Sequence, residues 1–275
     1  MKTKVLCIVL LMTLISPLFL FSQSQNFGSI TYNKAINVSG KQRMLSQKMS
    51  KAYLLIAKGI VNESIKKELN SSKFIFEKQL SILNQNATGS AVKLSIKNVQ
   101  KIWTEFKPLI ESAPSTSTSL QIMNLNTRLL KACHDLVLSI EASSNYSNQF
   151  FKNKSQELTN TINVSGKQRM LSQRLCLYYT GLTMFADKKI EFRRTLTSVF
   201  DEFDSVIGDL LISSYNNSEI EEELGLVMSV WEKFQLNKRS FLDGGFPLEE
   251  VYNTTNDLTK SFNKITGTYE VIAGK

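Results

Sequence analysis

The twelve residues INVSGKQRMLSQ fill Ile36–Gln47, and the same letters return at Ile162–Gln173. At that offset of 126, the twelve residues after the block agree only at Tyr53 and Tyr179, and the twelve before it only at Ser29 and Ser155. A repeat of this length requires two copies of one structural unit, stacked or paired in a single chain. The similarity runs on weakly beyond the block. VQKIWTEF (Val99–Phe106) resembles VMSVWEKF (Val227–Phe234), and Asn126-Thr127 and Asn253-Thr254 open similar segments. The offset stays between 126 and 128, which predicts modules at 25–145 and 146–275.

Each module reads as helical. Pro108, Pro114 and Pro247 are the only prolines after residue 24, and no alternating pattern is joined by a tight Asn-Gly or Asp-Gly hairpin. The punctuation predicts helices near 29–60, 63–85, 90–112 and 118–142, then near 150–187, 189–213, 217–241 and 248–272. The first set of breaks falls at Asn62-Glu63, at NQNATG (Asn84–Gly89) and along Pro108–Thr118. The second falls at Asn216-Asn217-Ser218 and at Gly244–Pro247. Ile102, Phe106 and Leu109 share one helical face, as do Val230, Phe234 and Phe241. The expected fold is all-α: two tandem antiparallel four-helix bundles. Between them, ASSNYSN (Ala142–Asn148) favours a hairpin, while the lack of Pro or Gly from Pro114 to Gly166 leaves one continuous helix as the alternative.

The first 24 residues read differently. Lys2 and Lys4 precede an apolar run from Val5 to Phe21, and Ser22 and Ser24 supply small residues for cleavage. This is the pattern of a secretory signal peptide, residues 1–24, with an uncleaved anchor as the alternative. A periplasmic or secreted location follows. Loss of Lys2 and Lys4 takes the formal charge from +9 to +7, a balance that favours anionic partners. No run of five basic residues occurs and no aromatic platform lies among the cations, which argues against nucleic acid. Cys133 and Cys176 remain, and two buried thiols are preferred over a disulfide because about 250 residues bury ample core without one.

On a helix, the residues within about 60° of Arg43 are Ile36, Ser39, Gly40, Ser46, Gln47, Ser50 and Leu54. Val38, Leu45, Met49, Ala52 and Ile56 form an apolar stripe on the other side. The second copy sets Ser165, Gly166, Ser172 and Gln173 around Arg169. One face fills its own bundle, and the small-residue face admits a second helix with an arginine at its centre. The block holds no Asp or Glu, so two such helices side by side would oppose two guanidiniums. A small anion accepting forked hydrogen bonds from both resolves the repulsion.

INVSGKQRMLSQ followed by Lys or Arg resembles the P-box helix of the PilJ/NarX-type sensor domain, found in type IV pili chemotaxis transducers and nitrate/nitrite sensor kinases. The shared letters are Ile36, Asn37, Gly40, Arg43, Met44 and Ser46, then Ile162, Asn163, Gly166, Arg169, Met170 and Ser172. The resemblance implies a periplasmic four-helix bundle that binds nitrate or nitrite where two P-box helices pack in parallel. Its ligand arginine corresponds to Arg43 and Arg169. Sensors of that family usually add a second membrane helix and a kinase or methyl-accepting region, and these 275 residues show neither pattern. Such a chain is expected to signal by contact, to a membrane sensor or transporter.

The expected site is therefore anion-binding: Arg43 and Arg169, supported by Ser39, Gly40, Ser46, Gln47, Ser165, Gly166, Ser172 and Gln173. Lys48 and Arg174 are expected to be solvated ends. No catalytic residue, metal or cofactor is expected. The sole histidine, His134, lacks the Glu-x-x-His of a di-iron bundle and the C-x-x-C-H of a haem site, and no hydrolase or phosphate-binding motif occurs. The alternative is a structural or interaction bundle of the envelope or of type IV pilus signalling, with no anion. Oligomeric state is open on sequence alone.

Overall fold

The computed structural model describes residues 26–60, 62–144 and 152–273, with 152–156 described by backbone alone. The expected signal peptide lies outside the described residues. Among the described residues the chain is all-α apart from one short antiparallel pair within Asn26–Thr31. Helices α1 (Tyr32–Ala57), α2 (Glu63–Asn86), α3 (Ser90–Glu111) and α4 (Thr116–Ser143) form the first bundle. Helices α5 (Lys152–Met184), α6 (Lys189–Leu211), α7 (Ser218–Leu236), α8 (Lys238–Leu242) and α9 (Leu248–Ala273) form the second, with a 3-10 turn at Ala186–Lys188.

The expected breaks work largely through caps. Asn62 accepts from the Ile65 amide at 2.9 Å, Ser115 from Thr118 at 3.1 Å and Asn217 from Ile220 at 3.0 Å. Each satisfies a first-turn donor that the helix itself cannot.

Three expectations need correction. A helix from residue 29 does not form: Asn26–Phe27 pairs with Ile30–Thr31 around Gly28, whose φ is +62°. Thr31 then caps α1 by accepting from Lys34. The single helix expected over 217–241 divides at Asn237, whose amide donates to the Lys233 carbonyl at 2.9 Å in competition with the backbone. Pro108 does not break α3 but sits inside it, three residues before its last residue Glu111, where the backbone bond it forfeits would have served exposed Thr104.

The bundles repeat each other in detail. Trp103 stacks on Phe76 with centroids 4.4 Å apart and donates to Glu77. Trp231 packs on Phe203 at 4.6 Å and donates to Asp204. Each buried ring contributes about 2–3 kcal/mol. The isolated agreement at Tyr53 and Tyr179 has a physical cause. Both are buried, and their hydroxyls donate to carbonyls ahead of the fourth helix, Ala113 at 2.9 Å and Phe246 at 2.6 Å.

Helix α1 packs against α2, α4 and α5, and α5 against α1, α6 and α9. From Ala35 to Leu55 only Lys41 and Lys48 escape full burial. The repeated block is thus the interior of the whole molecule, the seam along which the two bundles meet.

Candidate functional site

Contacts along the seam fix its direction. Thr159 donates to Asn33 near the start, Arg43 to Asn163 in the middle and Lys58 to the Thr183 carbonyl near the end. The residue numbers rise together, so α1 and α5 are parallel. Helix α4 is antiparallel to α1, with Asn126 beside Gln47 and His134 beside Arg43. The chain therefore reverses between α4 and α5, and one continuous helix does not form. The reversal itself, at 145–151, lies outside the described residues.

Parallel packing brings the two arginines together. Each is 1% exposed. Helical side chains lean toward the N-terminus, so each guanidinium reaches back along the seam to the other copy's asparagine. Arg43 donates through Nη2 to Asn163 Oδ1 at 2.7 Å, and Arg169 through Nη1 to Asn37 Oδ1 at 2.8 Å. A methyl on Gly40 would stand 3.4 Å from Nη2 of both arginines, so those nitrogens are at most twice that distance apart. A methyl on Gly166 would lie 2.7 Å from Nη2 of Arg169. The glycines are where the guanidiniums rest.

Neither arginine forms an ion pair among the described residues. Arg43 meets Nδ1 of His134 at 3.4 Å, and Arg169 meets Asn263 at 3.4 Å and the Gly166 carbonyl at 3.3 Å. Nε of Arg43 and Nη2 of Arg169 are buried without a hydrogen-bond partner. The nearest balance is indirect. Asn163 bonds Glu141 of α4, and Asn37 donates to Glu270 of α9.

Burial lowers both guanidiniums, Arg43 to about 10, with Glu141 pulling the other way. Arg169 falls to about 9, by burial and then by the charge of Arg43. Both stay cationic at neutral pH. Burial also raises the Glu141 carboxyl, which Arg43 and Asn163 pull back down.

The other expected site residues separate into two groups. Gly40 and Gly166 lie against the arginines. Ser39, Ser165, Ser46 and Ser172 donate to carbonyls of their own helices, at Ile36, Ile162, Arg43 and Gln168. Gln47 bonds Asn126 of α4, and Gln173 bonds Asn256 and Thr259 of α9. These glutamines tie the block to its own bundle. Lys48 and Arg174 are not solvated ends. Lys48 lies 3.9 Å from Glu68, and Arg174 is half-buried over the Tyr178 ring with its Nε unpartnered. The thiols of Cys133 and Cys176 are free and buried.

Sequence reasoning missed Asn37 and Asn163 as site residues. They stand far around the helix from their own arginine, and only the partner arginine reaches them. Their signal was an asparagine kept in both copies inside a helix, where it is a poor former. Lys51 was also missed. It is fully buried, 2.6 Å from Glu68 and 2.7 Å from Asn256 across the seam, and its counterpart is Leu177.

No curated protein and no solved structure matches the chain. A family model does match one part of it: residues 29–128, from the start of the chain's first bundle into α4, are similar to the PilJ family, described as the type IV pili methyl-accepting chemotaxis transducer N-term.

Proposed function

We propose that this chain is a periplasmic sensor or accessory protein that binds one small oxyanion, nitrate or nitrite, between Arg43 and Arg169. In this reading residues 1–24 direct export, and 25–145 and 146–275 are two PilJ-like modules that build one site between them. The observation that carries it is the convergence of two buried guanidiniums over Gly40, without an ion pair among the described residues and with Nε of Arg43 and Nη2 of Arg169 unpartnered there. A planar anion would accept from both and remove the repulsion. The similarity of residues 29–128 to a transducer domain supports sensing over catalysis. Occupancy would draw α1 and α5 together, and a membrane sensor or transporter would read that change.

Nitrate has four heavy atoms, so its binding energy tops out at about −6 kcal/mol, a Kd of about tens of micromolar. Titration calorimetry with nitrate, nitrite, chloride and sulfate, on wild type and Arg43→Ala, tests the reading. Saturable nitrate or nitrite heat that vanishes in the variant supports it. Heat equal for all four salts and unchanged in the variant overturns it.

A second reading rests on the Asn163–Glu141 and Asn37–Glu270 contacts, which balance each guanidinium in part without a guest. The block is then a packing device of an envelope or pilus-signalling bundle. Arg43→Ala would lower stability, and no anion would shift melting of the wild type.

A further inference from the structure

Beside the arginine pair, a cleft of about 290 Å³ opens between α4 and α5. Leu130 and Met170 give it apolar surface, and the cations Arg43, Lys131, Lys167 and Arg174 line it together with one carboxylate, Glu202. The charges are not equivalent. Lys131 is paired with Asp135 at 2.7 Å, and Lys167 with Glu202. His134 is held toward its neutral form by burial and by Arg43. That leaves Arg43 and Arg174, which form no ion pair among the described residues. Both keep a buried Nε without a hydrogen-bond partner. Two guanidiniums without an ion pair among the described residues, bordering one solvent-connected cavity, constitute a site for an anionic group.

The cavity equals roughly ten waters by volume, too large for a four-atom anion alone. An occupant that satisfies Arg43 and Arg174 and also covers Leu130 and Met170 needs a charged head and a short apolar body. We propose that this cleft binds a small aliphatic monocarboxylate, its carboxylate on Arg174 and Arg43 and its chain on Leu130 and Met170. The site adjoins the one between the arginine pair: both use Arg43 and its unpartnered Nε, but only this one uses Arg174 and only the other uses Arg169.

The pseudo-symmetric position on the other side keeps Arg169 and Met44 as the counterparts of Arg43 and Met170 but differs at three other places. Lys48, the counterpart of Arg174, is 3.9 Å from Glu68, and Asn263 meets Arg169 as His134 meets Arg43. Glu202 has Ile75 as its counterpart, since Phe203 is the counterpart of Phe76. One carboxylate per chain is therefore expected.

Titration of the full chain with acetate, propionate, butyrate and nitrate tests this. Butyrate should bind with one site per chain and a Kd on the order of 1 mM or tighter. Affinity should rise about fourfold per methylene from acetate to butyrate. Arg174→Gln should weaken butyrate at least about tenfold and leave any nitrate binding in place. Arg169→Gln should spare butyrate while removing nitrate, so the two sites fail separately. Thr127→Trp, at an exposed position on the cleft wall, fills the cavity without disturbing the core and should abolish butyrate binding even if Arg174→Gln folds poorly. Absence of butyrate binding, equal affinity for acetate and butyrate, or binding indifferent to both Arg174→Gln and Thr127→Trp would overturn the proposal.

Discussion

Arg43 donates at 2.7 Å to the side chain of Asn163, a residue of the other repeat. The exchange is reciprocal, since Arg169 donates to Asn37 at 2.8 Å. Each asparagine in turn meets a glutamate from the fourth helix of the arginine's own bundle, Glu141 or Glu270. The seam is therefore crossed twice by one arrangement, and neither bundle holds a complete copy.

Replacing Asn163 by Leu should cost about 1–3 kcal/mol, because Nη2 of Arg43 keeps only the backbone carbonyl of residue 163, at 3.4 Å. Asn37→Leu should cost a similar amount. Urea denaturation measures both, and an unchanged midpoint would show that the crossed bonds contribute nothing.

The two glycines should respond differently to alanine. Gly40→Ala gains about 1 kcal/mol of helix propensity, and its methyl meets both guanidiniums at ordinary contact distance, 3.4 Å. Stability should hold or rise, while nitrate ceases to raise the melting temperature because the methyl fills the space between the charges. Gly166→Ala puts a methyl 2.7 Å from Nη2 of Arg169. The guanidinium must swing away from Asn37, and most of the propensity gain should be lost. Thermal melts with and without nitrate distinguish the two.

Lys51 and Glu68 form an ion pair with the lysine side chain wholly buried and the carboxylate 7% exposed. Glu68→Gln strands the ammonium against Asn256 and the Tyr252 ring, and should cost about 3–5 kcal/mol. Lys51→Met combined with Glu68→Met should recover most of that loss. Chemical denaturation of the two variants checks the order, which reverses if the pair is solvated.

His134 makes stability fall in acid. Its folded pKa lies below the ordinary 6.5, through burial and the charges of Arg43 and Lys167, with Asp135 opposing. The neutral ring is the form the fold prefers. Its contribution is fully present above the unfolded value and is lost as pH falls from there through the folded value. The urea midpoint should drop as pH falls below about 7.5, and drop less in His134→Gln.

Most helix boundaries were legible because they rest on local chemistry, such as the side-chain caps at Asn62, Ser115 and Asn217. The division at Asn237 was not, since it depends on which carbonyl a flexible amide finds. At the candidate site, Arg43, Arg169, Gly40 and Gly166 stood out through repetition and size. The serines and glutamines shared their face on a helical projection, yet they serve their own helix or bundle. A projection ranks residues by angle and omits the length of an arginine, which is why Asn37 and Asn163, though repeated, were not assigned to the site. Lys51 was invisible for a different reason. It belongs to one copy only, so no repetition marked it.

That last asymmetry has a wider consequence. Where two identical subunits meet on a two-fold axis, every substitution is introduced twice, and a residue near the axis must tolerate its own image. Linking both halves in one polypeptide lifts this restriction. Lys51 can reach Asn256 because its counterpart is Leu177 and not a second ammonium. The tandem arrangement thus leaves each flank of the seam free to specialise while the twelve shared residues stay fixed between them.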